Sequence, residues 1–133
     1  MREIIFRVWD KQEKKMIYPT EKDNEDKSIS AWTDSEDDKF VIMQYTGMDT
    51  KDGEKIFEDD IIDGKFRGIG IVKFMGSCFH LVSMHFWQYI GRLVEPTIIG
   101  NIHENQNLIP KDMQDDKGSL SESWRHPWDF KKK

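Results

Sequence analysis

The feature that most constrains this chain is a series of short β-forming runs, each closed by glycine or a turn dipeptide, between residues 40 and 105. Residues 40–46, FVIMQYT, stop at Gly47; Asp52-Gly53 is a strong turn pair; residues 69–74, IGIVKF, close at Gly76; residues 78–83, CFHLVS, follow; residues 97–102, TIIGNI, come last. Runs of this length, rich in β-branched and aromatic residues, cannot be drawn as amphipathic helices. Glycine between them supplies the positive φ that tight turns require. The expectation is a mostly β fold, closed into a small barrel or roll.

The flanks are different. Residues 3–9, EIIFRVW, alternate as a strand, and Met16-Ile17-Tyr18 reads as its return strand, stopped by Pro19. Residues 84–93 remain open between strand, with His85, Trp87 and Tyr89 on one face, and helix, with Phe86, Tyr89, Ile90 and Leu93 on one; the strand reading is preferred. Residues 103–110 read as a single helical turn closed by Pro110. Residues 20–39 have no sustained period, and only Ile29 and Trp32 offer apolar anchors.

Charge is concentrated in that last stretch. Residues 21–39 hold eight acids against three lysines, a balance of −5 that equals the formal charge of the whole chain. The remainder is therefore neutral, which disfavours a polyphosphate partner. Arg2, Arg7, Lys65, Arg67, Lys73, Arg92 and Lys131-Lys132-Lys133 keep nucleic-acid binding open as the alternative, if the fold gathers them. No run approaches a membrane span, and the charged start MREIIFRVWD does not read as a signal peptide. The single cysteine, Cys78, excludes an internal disulfide, so a reducing, cytoplasmic setting is expected.

Candidate chemistry is sparse. Glu58-Asp59-Asp60 is a carboxylate cluster, but neighbours on a turn are expected to face water on different sides, with Asp60 capping backbone amides. A calcium loop fails, because Gly53 at the sixth position would put Met48 first and Thr50 third. His80, His85, His103 and His126 have no metal spacing, and Cys78 has no basic neighbour in sequence to activate it. No catalytic residue, metal or cofactor is expected, and the chain reads as a non-enzyme. Trp87 and Tyr89 are candidate partner-binding rings, against core packing as the commoner role for such residues. The stretch 111–133 is polar, yet carries Trp124, Trp128 and Phe130. Their even offsets would align all three rings along an extended chain, docked on the protein's own barrel or on a partner.

Three segments, MREIIFRVWDKQEKKMIY, MQYTGMDTKDGEKIFEDDII and IIGNIHENQNLI, resemble the YopX family of small bacteriophage and prophage proteins. Arg7, Trp9 and Asp10 match its opening hairpin, Gln44 to Gly47 its turn, Asp60 and Ile61 its strand entry, and Ile99 to Asn105 with Leu108 its close. Where the family usually has glycine before the entry aspartate, this chain has Asp59. The resemblance implies an SH3-like barrel or roll with an N-terminal β-hairpin extension. The expected organisation is a YopX-like domain over residues 1–110 (hairpin 1–19, acidic loop 20–39, barrel 40–110) and an irregular, Trp-containing tail over 111–133. Gly47, Gly53, Asp60, Gly100 and Asn101 stand as structural turn residues. The expected function is that of a non-catalytic accessory module in a host bacterial cytoplasm, binding a phage or host protein or a second copy of itself.

Overall fold

The computed structural model describes residues 5–19, 39–65 and 68–125. The acidic stretch, except Lys39, and the residues after Arg125, Trp128 and Phe130 among them, lie outside these. The chain is mostly β: the described residues form nine strands in two antiparallel sheets, with little helix. It divides into two compact units, Met1–Tyr45 and Thr46–Lys133.

In the first unit, β1 (Phe6–Asp10) pairs antiparallel with β2 (Lys15–Ile17) and with β3 (Phe40–Asp49). Asp10 makes the hairpin turn. Its Oδ1 accepts from the backbone N–H groups of Gln12 and Glu13, both at 3.0 Å. The Glu13 bond, more than any other influence, holds the Asp10 carboxyl below its ordinary range. β3 does not end at Gly47 as the sequence suggests. It passes through that residue at φ +88°, which glycine alone adopts without strain, and continues to Asp49.

The second unit holds β4 (Lys55–Phe57), β5 (Asp60–Asp63), β6 (Ile69–Met75), β7 (Cys78–Val82), β8 (Trp87–Tyr89) and β9 (Thr97–Asn101). The sheet orders are β2-β1-β3-β4 and β8-β7-β6-β5-β9. The last strand thus returns beside β5, which starts the meander. Residues 84–93 resolve into a strand followed by a 3-10 turn, Ile90–Arg92.

Alternation decides the two faces of the five-stranded sheet. Ile61, Ile71 and Val82 point one way; Ile62, Val72 and Leu81 point the other, and all six are fully buried. Burial on both faces explains why each strand carries adjacent apolar residues, Ile61-Ile62, Ile71-Val72 and Leu81-Val82. Phe79 belongs to the second face, and Ile56 and Ile90 pack against it. The first face is covered by Ile109, Met113, Leu120 and Trp124. The stretch beyond Pro110 therefore contributes core. Its polar residues turn outward: a bridge joins Gln114 to Leu120, and Asp115 Oδ1 accepts from the N–H groups of Lys117 and Ser119. A single helical turn, α1 (Glu122–Arg125), then carries Trp124 inward.

Candidate interaction site

The site begins with a serine. Ser83 directly follows β7, and its Oγ accepts from the backbone N–H groups of His85 (3.1 Å) and Phe86 (3.2 Å). This reverses the chain and delivers Trp87 opposite Val82 and Tyr89 opposite His80. Residues paired in this way share a sheet face. Val82 is covered by the C-terminal segment, but β8 is the edge strand, so Trp87 and Tyr89 remain 46% and 47% exposed. Core packing, the commoner role for such rings, does not hold here. The Tyr89 ring lies over Gly91, where an added Cβ would stand 2.4 Å from a ring carbon.

Beside β8 lies an open cavity of about 640 Å³. Met84, His85, Phe86 and Trp87 form one wall; Ser121, Ser123 and Trp124 form the other. His85 Nε2 lies 3.3 Å from Asp112 Oδ2, an exposed contact between the turn and the segment after Pro110. The walls are mostly aromatic and thioether, with two hydroxyls and the His85 imidazole, and their apolar surface suits an apolar side chain.

Of the partner-binding candidates, Trp87 and Trp124 line this one cavity and Tyr89 stands on the same strand. Trp128 and Phe130 lie outside the described residues. The extended three-ring strip is corrected at its first member. Trp124 sits in α1 and is 8% exposed, because it packs in the cluster that holds Ile61, Ile71, Val82, Ile109, Met113 and Leu120.

The turn residues occupy a second cluster. Asp60 Oδ2 accepts from the N–H of Phe57 at 2.8 Å, within the tight turn joining β4 to β5. Gly53 holds φ +88° in the preceding turn. Asn101 Oδ1 accepts from the N–H groups of His103 and Glu104, while Asn105 Oδ1 accepts from the N–H of Asn101. A side chain at position 100 would stand 2.6 Å from Asn105 Oδ1, so glycine is required there.

The expectation that Glu58, Asp59 and Asp60 face water is overturned for two of them: Asp59 is 6% and Asp60 2% exposed. Asp59 takes φ +69° and accepts from Lys73 Nζ at 2.6 Å and His103 Nε2 at 3.0 Å. Burial alone would raise its carboxyl. The Lys73 charge and the His103 hydrogen bond outweigh that and hold it well below the usual carboxylate range. Asp59 is thus a buried anion that ties β6 to the turn after β9 through Lys73 and His103.

Sequence reasoning missed one further pairing. Cys78 Sγ and His80 Nε2 lie 4.0 Å apart. The offset of two residues on a strand was the available signal, since it places both side chains on one face. Among the described residues, no three His, Cys, Asp or Glu side chains gather as a metal cluster. No helix there is long and apolar enough to cross a membrane.

These features define a class: a small two-sheet β protein with an aromatic edge strand beside an open cavity. Its lineage is equally plain, because the family model described as YopX protein matches residues 5–110, and the chain belongs to that family. The match ends just before the segment that supplies Met113, Leu120 and Trp124. The solved structure of protein EF1440 from Enterococcus faecalis is similar in fold. It has 22% identity and a TM-score of 0.55, over 83% of this chain and 100% of that one. No curated protein matches the chain.

Proposed function

We propose that this protein is a non-catalytic binding module of a phage or prophage, acting in the host bacterial cytoplasm, whose β8 edge and adjoining cavity take an extended segment of a protein partner. The observation that carries this is the half-exposed pair Trp87 and Tyr89 on an edge strand, beside a cavity walled by Trp87 and Trp124. An edge strand presents backbone N–H and C=O groups to a further strand, and a neighbouring pocket supplies side-chain selectivity. Tryptophan and tyrosine are also the residues that most often dominate interface energies. The strand order, in which the last strand returns beside the first of the meander, supports reading the second unit as an SH3-like roll.

The test is affinity capture from lysogenic or infected cells with the full chain and with a Trp87→Ala/Tyr89→Ala variant, scored for protein and nucleic acid separately. Specific partners should be captured by the wild type and lost with the variant, at equal thermal stability. Capture of the same proteins by both would refute the assignment of the site. Nuclease-sensitive capture with a steep salt dependence would replace the reading with nucleic-acid binding. A shift in oligomeric state between the two would make the partner a second copy.

A further inference from the structure

We propose that the β6–β7 hairpin carries a binding site for a soft monovalent metal ion, of which Cu(I) is the biological example, formed by Met75, Cys78 and His80. This goes beyond the partner-binding reading and uses none of its residues.

The register brings the donors together. Met75 pairs with Cys78 across the hairpin, and His80 follows two residues later on the same strand. Cross-strand partners and residues two apart share a face, so a thioether, a thiol and an imidazole all stand on one side. The tight turn at Gly76, φ +66°, sits next to this pair, so the backbone beneath the donors is fixed by ladder hydrogen bonds.

The spacing fits a bound ion. Sulfur and nitrogen donors to a small metal sit about 2.3 Å and about 2.0 Å away. The observed Sγ–Nε2 separation of 4.0 Å then corresponds to an S–metal–N angle of roughly 140° at those bond lengths. That lies between trigonal and linear arrangements. Among the described residues His80 Nδ1 is buried with no hydrogen-bond partner, so no bond there demands that Nε2 carry the ring proton. The Nε2 lone pair is then free to face the thiol. Cys78 is partly exposed, which leaves a route in from solvent.

The donor set selects the metal. Thiolate and thioether ligands favour Cu(I), whereas zinc wants four donors drawn from thiolate, imidazole and carboxylate. Lys73 pairs with His80 in the ladder, and its ammonium is held 2.6 Å from Asp59 and neutralised there. Binding replaces the thiol proton of Cys78, so one proton leaves for each ion bound.

The experiment is anaerobic competition for Cu(I) between the reduced full-length protein and a colorimetric chelator. One equivalent should be retained, and zinc should not be held in the same format. Cys78→Ser and His80→Gln should each weaken retention by more than the roughly 10–100-fold that loss of a mere supporting partner costs. Met75→Leu, which keeps the volume, should weaken it by a smaller factor. Circular dichroism of each variant verifies the fold. Failure to retain one equivalent, or equal retention by Cys78→Ser and His80→Gln, overturns the site. Unchanged affinity in Met75→Leu overturns the three-donor geometry.

Discussion

Replacing Asp59 with glycine, the residue the family usually has there, pits backbone strain against electrostatics. The backbone should tolerate the change: Asp59 holds φ +69°, and its N–H and C=O bond to Val72 and Ile102, which glycine can still do. Relief of the left-handed conformation favours the variant by about 1 kcal/mol. Against this, Lys73 loses its carboxylate while its side chain is only 10% exposed. Removing one partner of a buried ion pair costs about 3–5 kcal/mol. The net expectation is a loss of about 2–4 kcal/mol, read by urea unfolding followed through tryptophan fluorescence. Adding Lys73→Met should recover most of it, because a methionine needs no counter-charge, and should bring the double variant within about 1 kcal/mol of wild type. An Asp59→Gly protein as stable as the wild type would show that the Lys73 ammonium reaches water unaided and that the buried pair has no structural role.

The same carboxylate gives a pH dependence. Its folded-state affinity for protons is lowered, so its contribution is complete above the ordinary carboxylate range and declines as pH falls below about 4, a slope that Asp59→Asn should reduce in acid unfolding. Trp124→Ala should cost about 3–5 kcal/mol in chemical unfolding, since it opens the cluster over Ile61, Ile71 and Val82. Gly70→Ala should lower the melting temperature, at a cost of about 1–3 kcal/mol, because its Cβ would lie 2.8 Å from the Val82 carbonyl oxygen and 2.9 Å from Leu81 Cγ.

What the sequence disclosed follows from the range of the forces involved. The strands β6 and β7 are legible because burial on both faces writes itself as a mostly apolar run, interrupted by Lys73 and His80, and the hairpins because their turns demand particular residues. β3 was cut short at Gly47, since a glycine that ends one strand and a glycine that bends another look alike. Asp59, Lys73 and His103 were each visible, but nothing local shows that residues so far apart in sequence meet. Trp124 reads as part of a polar tail because its neighbours are charged; the partners that bury it include Ile61, Ile71 and Val82, far earlier in the chain on β5, β6 and β7. The exposed pair on β8 was legible as a pair, while its exposure depended on β8 lying at the sheet's edge.

The return of β9 beside β5 has a consequence for biosynthesis. A chain emerging from the ribosome has β5 through β8 in hand once Tyr89 is made, yet the outer edge of β5 stays bare until β9 follows. The face of Ile61, Ile71 and Val82 then waits for Trp124. At ~5–20 residues per second that interval lasts roughly 2–7 s. During it, the nascent meander presents both an unpaired edge and an uncovered apolar face, the combination that promotes strand-to-strand association between neighbouring chains on a polysome. Premature termination between β8 and α1 would leave that exposure permanent, so truncated products of this length should be recovered as aggregates or in the hands of chaperones.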